Sequence, residues 1–252
     1  MFESNLYIDE EKIDTYLCEL VNLKKSKKWN ISFSINLPFV SISANGEFSK
    51  DLSSLSAKQK LILFESLISQ DETLLWDYTE KPDEIDLTTL PINTFIKFSA
   101  GMDIPEIVGQ INGVSGLLSG QFGELAKKEI LSSDPGEQSI TLINALTNNN
   151  SNLPVISKID DVIMYAELDE INIDGISNID FFDEIAESVT VIAKIVKNQC
   201  NETKVKVYDL GKNYFGLSRP IRKQIKNYDN DENLNYFVNG PAIKIEVLAI
   251  KY

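Results

Sequence analysis

The chain has 252 residues, 24 of them basic and 38 acidic, with no histidine and two cysteines, Cys18 and Cys200. Without imidazole, Ser-His-Asp and Cys-His nucleophiles and His-ligated zinc are excluded. Two cysteines so far apart give neither a disulfide framework nor a zinc motif. A net charge of −14 sets the chain against nucleic acid and anionic membrane, while a hydrophobic content of 43% is enough for a full core without staples.

In chain order, Leu6-Tyr7-Ile8 reads as a short strand, and Asp9 caps a helix over 10–23. There Ile13, Tyr16, Leu17, Leu20 and Val21 fall on one face. Residues 31–48 alternate and read as an antiparallel ribbon, with Asn45-Gly46 as a hairpin-type turn. Ser56 and Gln59 have capping-box spacing and open a helix over 57–70. Trp76 and the polar run 79–84 read as a long loop or domain boundary.

From residue 91 the spacing predicts a strand over 92–99 and helices over 104–131 and 135–147, then a loop through 148–152. Further strands follow over 162–168 and 189–195, with 205–208 continuing or pairing with the latter. Ser218 caps a short helix, and 242–250 is a nearly all-apolar strand of the kind that takes a central position. Strand, helix, strand, strand, helix, strand is the order of a split βαβ. The expected fold is therefore α+β, ferredoxin-like, with helices on one face of an antiparallel sheet over 91–252. A smaller helix-and-ribbon region over 1–80 precedes it.

Four stretches carry a family resemblance: Leu6-Tyr7-Ile8-Asp9 leading into Ile13, Tyr16 and Leu17; Phe95–Phe98 followed by Ile104–Ile107; Val189–Val196; and Gly240–Ile245 with Ala249-Ile250. Together they resemble an uncharacterised bacterial family with a domain of unknown function, although Ala193 stands where that family usually has Gly. The resemblance implies a cytoplasmic protein of accessory or phage-defence gene clusters. It carries no activity.

Charge is unevenly spread. Residues 1–193 hold 13 lysines against 32 acids, and residues 194–252 hold 11 basic residues against six acids. The acidic stretch 159–187 has ten carboxylates and no base. Asp180, Asp183 and Glu184 are its densest group and a candidate Mg²⁺ or Ca²⁺ site, although the spacing does not fit an EF-hand loop. The plain alternative is a solvated acidic edge. The basic cluster is Lys212, Arg219, Arg222, Lys223 and Lys226, with Ser218 as the helix cap beside it, and includes both arginines of the chain. Arg suits phosphate and carboxylate, so the cluster is a candidate anion site; the alternative is a surface helix paired with nearby acids. Five glycines at 109, 113, 116, 120 and 123 point to close helix packing or a broken helix. Six tyrosines, at 7, 165, 208, 214, 228 and 236, are stacking candidates. Cys18 reads as a packing residue.

The absence of catalytic motifs leads to a first expectation of a non-enzymatic, cytoplasmic binding or regulatory protein. Its partner would be another protein or a small anionic effector, with no cofactor, no nucleic acid, no membrane span, and homo-oligomerisation left open. One alternative is a magnesium-dependent phosphoester enzyme using the 159–187 carboxylates with Arg219 and Arg222 on the phosphate. Another is an acidic inhibitor or immunity-type protein.

Overall fold

The computed structural model describes residues 5–26, 35–37, 40–42, 52, 54–105, 152–169, 172, 181, 184–209, 212, 219–225, 227–232 and 235–252. Strand β1 (Asn5–Ile8) leads through the N-cap Asp9, which accepts from the Lys12 backbone N–H at 3.1 Å, into α1 (Glu10–Ser26). Glu10 and Glu11 lie in its first turn, where the helix dipole favours them. Strands β2 (Ile35–Leu37) and β3 (Val40–Ile42) pair antiparallel, with Leu37 opposite Val40. The ribbon expected over 31–48 is described only in these two strands, and its expected turn, Asn45-Gly46, lies outside the described residues. Helix α2 (Ala57–Ile68) starts with the full capping box: the Ser56 side chain accepts from the Gln59 backbone, and the Gln59 side chain accepts from the Ser56 backbone.

The remaining elements are β4 (Leu75–Asp77), β5 (Phe95–Ala100), β6 (Asn152–Ile159), β7 (Val162–Asp169), β8 (Val189–Asn198), β9 (Lys204–Asp209), α3 (Arg219–Gln224), β10 (Asn235–Asn239) and β11 (Ala242–Lys251). One mixed sheet runs β4-β5-β8-β11-β7-β6, with β1 added to β11. Pairs β4–β5 and β11–β7 are parallel, and the rest are antiparallel. Strands from both sides of residues 81–90 thus share a sheet. The expected helices over 104–131 and 135–147, with the glycine series, lie almost wholly outside the described residues.

The protein is α+β, but the strand order is not that of a split βαβ. That arrangement needs β7 and β8 side by side and β5 next to β11. Here β11 stands between β8 and β7 and away from β5, although β5 pairs with β8 as a split βαβ also requires. The reason lies in β11 itself. Its ten residues are mostly buried on both faces, so it takes the middle of the sheet. Its first residues pair with β7 and its last with β1 on the same edge. The tight hairpin is β6–β7 instead, closed at Asp160 (φ 51°) and Asp161.

The two end strands of that path, β6 and β4, are blunted against further pairing. Strand β6 carries Pro154, and Asp103 bonds to both backbone groups of Ile156 at 2.7 and 2.8 Å. Strand β4 is only three residues long, and the Asp77 carbonyl accepts from Lys81 N–H at 3.1 Å.

Two buried clusters lie on one face of the sheet. The first packs Ile13, Leu17 and Leu20 of α1 and Leu61, Phe64 and Leu67 of α2 on Phe95, Ile192 and Leu248. Lys60 joins the two helices, with its buried ammonium on Glu10 (2.6 Å) and Asp14 (2.7 Å). The second sets the β9–β10 ribbon, through Val205, Val207 and Val238, against Tyr165 and Ala242. The opposite face holds the largest cluster, including Ile96, Phe98, Met164, Val191 and Ile245 under Leu87, Leu90, Met102 and Phe181.

Candidate functional site

Among the described residues, a concave site lies at the β4 edge and is built from residues 69–97. A cleft of about 370 Å³ opens there. Five carboxylates line it (Asp71, Glu72, Asp77, Glu80 and Glu84), against two lysines, Lys81 and Lys97, with Leu75, Trp76 and Ile85 as its apolar part.

The local sequence explains its shape. Asp-x-Thr occurs three times, at 71–73, 77–79 and 86–88. Each time the Asp Oδ1 accepts from both the Thr N–H and the Thr hydroxyl, between 2.5 and 3.0 Å. These side-chain turns stand in for backbone turns and fix the chain on either side of β4. Asp77 does more. Its Oδ1 also takes the Glu80 N–H at 3.2 Å, and its Oδ2 takes Lys97 Nζ at 3.1 Å. Register brings that pair together, since Asp77 lies opposite Lys97 in the parallel β4–β5 pair. Burial pushes the Asp77 carboxyl up, but the Thr79 hydroxyl and the Lys97 ammonium outweigh it and hold the group below its usual range.

The floor is therefore a locked ion pair. Around it Glu72, Glu80 and Glu84 are exposed and make no ion pair among the described residues. The Trp76 indole nitrogen is buried without a partner. The cleft thus presents excess negative charge beside an indole, a setting suited to an ammonium or guanidinium group.

The basic cluster is divided by the structure. Arg222 is used internally: its guanidinium lies 3.3 Å from Asp209 and its Cζ 5.7 Å from the Tyr228 ring centroid. Lys212, Arg219 and Lys223 are exposed and make no ion pair among the described residues. Ser218 and Lys226 lie outside the described residues, and α3 is a six-residue turn.

In the acidic stretch, Asp160, Glu167 and Glu187 each serve a separate partner. Asp160 accepts from the Tyr78 hydroxyl, which pushes that phenol up to about 12. Glu167 faces Lys244 at 3.4 Å, and Glu187 accepts from Tyr252 at 2.6 Å. Glu184 is half-buried, while Asp180 and Asp183 lie outside the described residues. Among the described residues no three Asp, Glu or Cys side chains come close enough to hold a metal ion, and no described helix is long and apolar enough to cross a membrane.

Of the six tyrosines, Tyr7, Tyr165, Tyr208 and Tyr228 are buried. Tyr236 is half-buried, and Tyr214 lies outside the described residues. Tyr165 donates to Gln199 at 2.5 Å, and burial raises its phenol to about 12. Cys18 is exposed rather than packed.

No family model, no curated protein and no solved structure matches the chain. The cleft is therefore the observation from which a function can be argued. The recurrent Asp-x-Thr was the sequence signal that could have drawn attention to residues 71–88.

Proposed function

We propose that this protein is a non-enzymatic binding protein and that its cleft takes a positively charged segment of a protein partner. The observation that carries the reading is the charge of the cleft: five carboxylates and two lysines, one of them already consumed by Asp77. A chain at −14 also draws a cationic partner from a distance. The Asx turns hold the rim in shape before binding, which lowers the ordering cost. An acidic inhibitor of a basic enzyme is one form of the same reading.

The test is binding of a labelled Lys/Arg-rich peptide to the wild type and to a Glu72→Gln, Glu80→Gln, Glu84→Gln variant. The three glutamines keep the size of the rim and remove its charge. Affinity is expected to fall about ten-fold, with a shallower salt dependence. Equal affinity for the two proteins would dismiss the cleft as the site.

A further inference from the structure

We propose that the exposed face of α3, with Lys212, docks a carboxylate-rich segment of a partner protein. This surface is separate from the cleft and does not depend on it. The argument starts from the ion pairs on the ribbon. Lys204 is taken by Glu232, Lys206 by Asp229 at 3.0 Å, and Arg222 by Asp209 at 3.3 Å. Of the basic residues at the ribbon and α3, Lys212, Arg219 and Lys223 make no ion pair among the described residues, and all three are exposed.

These three are not scattered. Asp209 Oδ1 accepts from the Lys212 N–H at 2.8 Å and the Tyr228 hydroxyl at 2.5 Å, while its Oδ2 takes Arg222. Asn235 anchors the same corner by donating to the Tyr228 carbonyl at 2.6 Å. One carboxylate therefore holds both the backbone at Lys212 and, through Arg222, the helix that carries the other two. Arg219 and Lys223 stand four residues apart, on one side of α3. Three cations, two on a helix face and one at Lys212 beside Asp209, match several carboxylates in a row better than one point anion. A nucleic acid would extend beyond the patch and over a chain whose net charge is −14. A short acidic segment ends within it.

The experiment is fluorescence anisotropy of two labelled probes, a Glu-rich dodecapeptide and a single-stranded dodecanucleotide, in low and physiological salt. The proteins are wild type, Arg219→Glu with Lys223→Glu, and a charge-matched control, Lys158→Glu with Lys197→Glu, whose side chains are 68% and 59% exposed. The peptide is expected to bind wild type and control alike, and the α3 variant at least about ten-fold more weakly, since rim charge reversal acts locally. Three results would each overturn the proposal: equal losses in both variants, which would mean bulk charge alone; no peptide binding by the wild type even in low salt; or the oligonucleotide binding more tightly than the peptide. Circular dichroism of each variant confirms that it is folded before it is scored.

Discussion

Lys60 offers a test of how the two helices are held, because the two halves of its ion pair differ in exposure. The lysine side chain is 6% exposed, while Glu10 and Asp14 are 48% and 41% exposed. Lys60→Met keeps the buried stem and leaves two carboxylates whose side chains are 48% and 41% exposed, although Asp14 Oδ1 is itself buried. Each lost contact then counts as a surface pair, and the substitution costs about 1 kcal/mol. Replacing both acids, Glu10→Ala with Asp14→Ala, strands a buried ammonium. Such a loss costs about 3–5 kcal/mol, and the lower end applies because the acid side of the site is already wet. Loss of Glu10 from the first turn of α1 adds about 0.3–1 kcal/mol through the helix dipole.

Urea unfolding followed by circular dichroism ranks the two variants. The pH dependence has a definite sign. Burial pulls the Lys60 ammonium down, but Asp14 and Glu10 overcome it and raise it above 10.5. Its contribution is therefore complete below the ordinary lysine value and is lost as pH climbs through the raised folded value. The gap between wild type and Lys60→Met should stay flat through neutral pH and close in strong alkali. A Lys60→Met cost larger than that of the double acid variant would refute the reasoning.

Three other outcomes are expected. Gly240→Ala places a Cβ 1.8 Å from the Glu202 carbonyl oxygen, so the β8–β9 turn or β10 must move; a loss of about 1–3 kcal/mol or more should appear in thermal unfolding. Ser56→Ala removes one half of the capping box and should cost about 1 kcal/mol by the same measurement, with α2 still present. Asp77 has a lowered folded pKa, so its contribution is present above the usual carboxylate value and lost as pH falls through the folded one. Asp77→Asn should therefore destabilise the protein at neutral pH, and its deficit relative to wild type should shrink in acid titrations.

Local signals in the sequence were strong where one short segment decides the outcome. Asp9 before an apolar stripe, the Ser56–Gln59 box and the apolar run 242–250 each specify their own element, and all three appear as expected. Strand order was not local. Placing β11 between β7 and β8 depends on which edges are free once β1 and β5 have paired, and no window of sequence states that. Strand β6 was not among the expected elements; its Pro154 is compatible with a strand only at an edge, which is where β6 lies. Strand β4 is three residues long and sits between polar turns, so it read as loop. The cleft shared that fate: Asp77 and Lys97 are twenty residues apart, and only the parallel register makes them neighbours. The basic cluster was legible as composition, but its split into the internal Arg222 and the outward Arg219 and Lys223 follows from packing on Asp209 and Tyr228.

Trp76 gives the cleft its own reporter. The chain has two tryptophans, Trp29 and Trp76, so a Trp29→Phe protein emits from the cleft-lining indole alone. Titrated with a Lys/Arg-rich peptide, its emission should change saturably, an equally long Glu-rich peptide should leave it untouched, and the change should vanish in the Glu72→Gln, Glu80→Gln, Glu84→Gln background. Emission that stays constant through a titration in which the basic peptide demonstrably binds would place the partner elsewhere and contradict the account.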